Sequence, residues 1–119
     1  MMVKKIYYLS TCDTCKKIIA LLDLKNKNFE FQDLKFKNIS ENELNEIATR
    51  VGGYEPLFSK TARKYKELNL KEKKLSETEF KNFILNEYTF LKRPVIIFGE
   101  NIFIGNSKNT IEQANKTIV

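Results

Sequence analysis

Apolar and polar positions change rhythm several times along this chain of 119 residues. Residues 3–9, VKKIYYL, are rich in β-branched and aromatic side chains and stop at Ser10-Thr11, which predicts a first strand. Cys15, Ile18, Ile19 and Leu22 then recur at helical spacing with Lys16 and Lys17 between them, predicting an amphipathic helix over about 13–24. Asn26 to Asn28 turns the chain. Phe29, Phe31 and Leu34, set among Glu30 and Asp33, predict a second strand.

The middle of the chain is helical in rhythm. Ser40 with Glu43 is a capping box, and Leu44, Ile47, Ala48 and Val51 form the stripe of the helix it starts, which Gly52-Gly53 ends. Pro56 opens a short helical turn with Leu57 and Phe58, and another helical segment covers about 61–68. Ser76 with Glu79 is a second capping box, leading into Phe80, Phe83, Ile84, Glu87 and Tyr88. The period then changes. Residues 94–98, PVIIF, read as a buried strand, Gly99-Glu100-Asn101 as a hairpin turn, and Ile102-Phe103-Ile104 as the returning strand. A last helix is predicted over about 108–116.

The order is β-α-β, a block of helices, then β-β-α. With no repeat and no low-complexity linker, it predicts one α/β domain over 1–119 with a helical insertion at about 40–90. Strands joined through a helix should run parallel and the Gly99 hairpin antiparallel, giving a mixed four-stranded sheet.

Composition narrows the function classes. The balance of 30% charged and 42% apolar residues is that of a soluble domain, and no run approaches the ~20 apolar residues of a membrane span. No signal peptide is expected in MMVKKIYYLS, so a cytoplasmic location is the expectation. The net charge of +6 is mostly lysine, spread in short clusters broken by acids, so a solvated surface explains it and direct nucleic-acid binding is not expected.

Two cysteines remain, Cys12 and Cys15, in YYLSTCDTCKK, and the chain has no histidine. That rules out Ser-His and Cys-His nucleophile pairs. A zinc site needs four ligands, which two cysteines do not supply within one chain, so no metal is expected. Cys15 lies on an apolar stripe, and the alternative reading for it is a small core residue. Cys12 falls where strand gives way to helix, between Ser10-Thr11 and Asp13-Thr14. Unpaired N–H groups and the positive end of the helix favour a thiolate there; Lys16 and Lys17 add to this and Asp13 opposes it. One turn on, Cys15 is placed to attack a disulfide or adduct formed on Cys12. A C-x-x-C pair beside a βαβ pattern points to redox chemistry. Thr11, Asp13 and Thr14 are candidate substrate contacts.

Three stretches resemble the glutaredoxin-type arsenate reductase (ArsC) family, which also contains the Spx transcriptional regulators: YYLSTCDTCKK, PLFSKTARKYKELNL at 56–70, and FLKRPVIIFGENIFIGNS at 90–107. The resemblance implies a thioredoxin-like fold with the helical insertion between the second and third strands. It implies that Cys12 is the nucleophile, and that Arg93 precedes Pro94 in a cis-proline loop facing the thiol. Family arsenate reductases hold the oxyanion with three arginines. Arg93 matches one; Lys60, or Arg63 by rearrangement, would stand in for the second; the third falls near Asn106, which is uncharged. Arginine's planar fork is not reproduced by lysine, so arsenate as the substrate is put in question.

Two readings follow. One is a thiol-dependent reductase of a small oxyanion or oxidised thiol. In it Cys12 attacks, and Cys15 or an external thiol such as glutathione resolves the adduct; no cofactor is bound, and a glutaredoxin or thioredoxin could act as partner. The other is an Spx-like redox sensor in which a Cys12–Cys15 disulfide controls binding to the RNA polymerase α subunit.

Overall fold

A computed structural model describes residues 2–118. In chain order the elements are β1 (Lys4–Tyr8), α1 (Asp13–Leu21), β2 (Glu30–Asp33), α2 (Glu41–Val51), α3 (Arg63–Glu67), α4 (Glu77–Asn86), β3 (Val95–Phe98), β4 (Asn101–Ile104) and α5 (Lys108–Thr117). They fall into two compact units. One takes the two ends of the chain, up to Lys37 and from Arg93 onward; the other is Asn38–Lys92.

The first unit is a mixed four-stranded sheet in the order β2-β1-β3-β4. β1 runs parallel to β2, as a strand-helix-strand connection requires, and antiparallel to β3, while β3 and β4 form the hairpin. The hairpin turn is tighter than the three residues expected. Phe98 pairs with Asn101, leaving Gly99-Glu100 as a two-residue loop, and Gly99 takes the positive φ of 62° that such a turn demands. On one sheet face Ile6, Phe29 and Ile96 pack with Ile18, Ile19, Leu22 and Leu24 and with Ala114 and Ile118 near the C-terminal end.

The predicted helix over 13–24 ends early. Its stripe is buried as expected, but Asp23 adopts the left-handed conformation at φ 54° and breaks the ladder, and a 3₁₀ turn, Leu24–Asn26, carries Leu24 into the core. Lys27 Nζ donates to the Leu22 carbonyl at 2.8 Å, placing a cation at the negative helix end. In β2, Phe31 packs toward the core face; Leu34, three residues on, is buried apart from that cluster. A period of two sends residues 31 and 34 to opposite faces, so the run expected along one face is broken.

The Asn38–Lys92 unit rests on the two capping boxes. Ser40 Oγ accepts from the Glu43 N–H at 3.1 Å, Ser76 Oγ from the Glu79 N–H at 3.2 Å, and each glutamate returns to the serine N–H at 3.0 Å. Gly52 closes α2 at φ 92°. The Phe58 ring packs against Phe80, Phe83, Phe90 and Tyr65, with centroids 4.9–6.2 Å away. The helix expected over 61–68 shrinks to α3, because Ala62 is extended and Leu68 is followed by Asn69 at φ 55°. No helix among the described residues is long and apolar enough to cross a membrane.

Candidate active site

β1 ends at Tyr8, and the chain folds over Leu9-Ser10-Thr11 so that the Cys12 N–H donates to the Leu9 carbonyl at 3.0 Å. This turn makes Cys12 the residue that caps α1, with extended backbone at φ −97° and ψ 112°, while its own carbonyl takes the first helical bond from the Lys16 N–H. Asp33, at the end of β2, braces the turn. Its Oδ1 accepts from the Ser10 N–H at 3.2 Å and from the Lys35 N–H at 3.1 Å. The Asp33 carboxyl titrates below the usual range: slight burial raises it, but the Ser10 hydroxyl, the Lys35 and Ser10 N–H groups and the Lys35 charge outweigh that.

The third wall comes from β3. With Tyr7 opposite Val95 in the antiparallel pair, the residues just before β3 fall beside the end of β1, where the cysteine turn begins. Those residues are Arg93 and Pro94, joined by a cis peptide bond. Pro94 is buried, and its carbonyl accepts from the Gly105 N–H at 2.9 Å.

Cys12 is half-buried; Cys15 is 0% exposed, and both are free thiols. Burial works against ionising Cys12. The Cys15 N–H and thiol, the Thr14 N–H and the Arg93 charge together overcome it, so the Cys12 pKa is lowered. The Cys12 sulfur closes no full capping bond as a thiol, and these donors act most strongly on the charged form. Cys15 behaves oppositely. Burial, then the hydrogen bond and charge of the Cys12 sulfur, push its pKa up to about 11, against the weaker pull of the Leu9 backbone and Arg93. One sulfur is thus poised to be a thiolate and its neighbour is kept protonated.

Of the residues picked from the sequence, Cys12, Cys15, Thr14 and Arg93 act on one another electrostatically. Thr11, Asp13 and Thr14 are exposed around the turn, and Pro94 immediately precedes β3. Lys60 and Arg63 belong to the Asn38–Lys92 unit. Lys60 pairs with Glu55 at 3.0 Å, which raises its pKa, and Arg63 opens α3 in an exposed position. Asn106 is exposed between β4 and α5. Among the described residues no three Cys, Asp or Glu side chains converge as metal ligands. Asp33 and Ser10 were not singled out from the sequence. The contact joins residues 23 apart, although Asp33 taking the N–H two residues on is a local turn signal.

The sequence model of the ArsC family matches residues 7–114. The chain belongs to the ArsC family. Its relatives include the uncharacterized protein YusI of Bacillus subtilis, 28% identical over 90% of this chain and 93% of that one. An arsenate reductase of Haemophilus influenzae is 29% identical over 89% of this chain and 93% of its own length. The global transcriptional regulator Spx of Streptococcus mutans is 26% identical over 85% of this chain and 74% of its own. Among solved structures, an arsenate reductase from Vibrio cholerae superposes with a TM-score of 0.77, covering 99% of this chain and 98% of its own at 20% identity. The fold is thioredoxin-like, as the resemblance implied, and its mixed four-stranded sheet is the one the element order predicts.

Proposed function

We propose that this ArsC-family chain is a thiol-dependent reductase in which Cys12 is the nucleophile and Cys15 the resolving thiol. The observation that carries the reading is the split between the sulfurs: Cys12 is half-exposed with a lowered pKa, Cys15 sealed in and raised to about 11. The attacking thiol must be ionised and reachable. The resolving thiol is best kept protonated, so that it does not compete for the substrate, until an adduct brings an electrophilic sulfur to it. Arg93 stabilises the thiolate and faces an incoming anion. An oxidised thiol suits this site better than arsenate, because Asn106 carries no charge where the family resemblance places an arginine. An external thiol such as glutathione, alone or through glutaredoxin, restores the reduced pair in a cytoplasmic setting.

The test is turnover. Purified protein with arsenate or a small disulfide, glutathione, glutaredoxin and the NADPH-coupled reductase should consume NADPH, and Cys12→Ser should abolish this. A second reading, a redox sensor, draws on the same two thiols and on relatives named Spx. No turnover with any donor, together with oxidation-dependent binding to the RNA polymerase α C-terminal domain, would establish it instead.

A further inference from the structure

The turn after β2 carries an aromatic ring that no core claims. Of the nine phenylalanines and five tyrosines, all among the described residues, only Phe36 is exposed, at 80%; the others are buried or half-buried. It sits between Lys35 and Lys37, both exposed, and Lys35 Nζ lies over the ring, 5.8 Å from its centroid. The backbone beneath the ring is held in place. The Phe36 and Lys37 N–H groups donate to the Asp33 carbonyl at 3.1 and 3.0 Å. The Lys35 N–H donates to Asp33 Oδ1 at 3.1 Å, and Gln32 Nε2 donates to the Lys37 carbonyl at 3.0 Å. A lone apolar side chain on a surface is ordinary. One fixed on a braced turn is placed to bury itself against a partner at little ordering cost.

Asp33 joins this turn to the cysteine turn, since its Oδ1 accepts from the Ser10 N–H, two residues before Cys12, as well as from Lys35. β1 and β2 run parallel with Tyr8 opposite Asp33, so the two turns leave neighbouring strand ends about 4.8 Å apart. A standard protein interface covers about 800 Å² on each partner, far wider than that spacing. A protein whose sulfur reaches Cys12 therefore has Phe36 within its footprint, whereas a small disulfide does not. Lys16, Lys17, Lys35 and Lys37 are exposed on these turns and the start of α1, against Asp13 and an Asp33 carboxylate already engaged by N–H groups. The complement is a protein surface with an apolar centre and an acidic rim.

We propose that the Lys35-Phe36-Lys37 turn docks a protein disulfide flanked by apolar and acidic residues, the substrate that Cys12 reduces. The proposal rests on Cys12 being the nucleophile. The Cys12 thiolate attacks one sulfur of the partner's disulfide; a Cys12–S bond forms, and the partner's other sulfur leaves as a thiolate that takes a proton from water. Cys15 then gives up its proton to solvent and attacks Cys12 Sγ, releasing the partner's second sulfur as a thiolate, which is protonated in turn. The partner gains two electrons, and Cys12 and Cys15 lose two and become a disulfide. Two molecules of an external thiol return the electrons and end as a disulfide themselves.

Three disulfides separate docking from chemistry: a synthetic peptide closed by a disulfide with leucine and glutamate beside its cysteines, its counterpart with lysine for glutamate, and small, uncharged hydroxyethyl disulfide. The rate with the acidic peptide, divided by that with hydroxyethyl disulfide, should fall about tenfold (~1.4 kcal/mol) in Phe36→Ser and be kept in Phe36→Tyr. Reversing both charges, Lys35→Glu with Lys37→Glu, should cut the preference for the acidic over the basic peptide by about the same factor. The acidic peptide with its cysteines S-methylated cannot react, and titrated into the reduced protein it should shift the amide resonances of Lys35, Phe36 and Lys37. Unmoved resonances, or rate ratios indifferent to either exchange, would overturn the docking surface; with the disulfides still consumed, the reductase reading stands. Resonances that move while none of the disulfides reacts would overturn the reductase reading, and with it the substrate docked on this turn.

Discussion

Replacing Cys15 by alanine and by serine isolates how much of the Cys12 thiolate is made by its neighbour. In Cys15→Ala the N–H groups of Thr14 and Cys15 and the Arg93 charge all remain, so only the hydrogen bond from the Cys15 thiol is lost. A hydrogen bond to a charged group contributes about 1.5–3 kcal/mol, but a thiol is a weak donor and Cys12 is partly solvated, so we take about 1 kcal/mol. At 1.36 kcal/mol per pKa unit this raises the Cys12 pKa by about 0.7, and well below the pKa it cuts the thiolate fraction about fivefold. Cys15→Ser keeps a donor at the same place, and a hydroxyl is a stronger one, so Cys12 should return to the native value or lower. The assay is the thiolate absorbance in the ultraviolet, together with the iodoacetamide rate, each followed against pH. Alanine and serine variants with equal Cys12 pKa values would refute the reasoning, since the shift could not then come from the side-chain donor.

Further outcomes follow from the same contacts. Arg93→Gln should raise the Cys12 pKa by less than the Cys15→Ala change, because Arg93 acts through charge alone and ranks last among the influences on Cys12; the alkylation profile reads it. The Asp33 pKa is lower folded than unfolded, so its contribution of up to about 1 kcal/mol is present above the unfolded carboxyl value and lost as pH falls through the folded one. Urea titrations between pH 6 and pH 3 (roughly the window set by ordinary carboxyl values) should therefore show a shallower acid loss in Asp33→Asn. Cys15 has the opposite sign. Its raised pKa stabilises the fold fully below the ordinary thiol range and is lost as pH rises through about 11, so thermal melts of Cys15→Ala should show less alkaline destabilisation. Ser76→Ala opens one capping box and should lower stability by about 1 kcal/mol in denaturant unfolding, while Ile6→Ala, at a position 0% exposed, should cost about 2–5 kcal/mol.

Local chemistry was readable from the sequence and long-range chemistry was not. Both capping boxes close as Ser-x-x-Glu predicts, because donor and acceptor lie within one turn of each other. The buried stripe of Cys15, Ile18, Ile19 and Leu22 follows from helical period alone. The end of α1 does not, since the apolar pattern runs on through Leu24 while the backbone of Asp23 turns left-handed. Periodicity says which side chains are buried, and says less about which hydrogen-bond ladder carries them. For the site, Cys12 at the helix start and Arg93 before the proline were legible. The bracing of Ser10 by Asp33 was not, because it needs the ends of β1 and β2 brought together by the parallel pairing.

The central claim is that Cys12 attacks and Cys15 releases, and mass spectrometry of single-turnover products tests it most directly. The reduced native protein, Cys12→Ser and Cys15→Ser are each mixed with hydroxyethyl disulfide, quenched in acid and weighed. The native protein should end as an intramolecular Cys12–Cys15 disulfide with no retained adduct, Cys15→Ser should stop with one adduct on Cys12, and Cys12→Ser should stay unmodified. An adduct that persists on the native protein, or one carried by Cys15, would contradict the account.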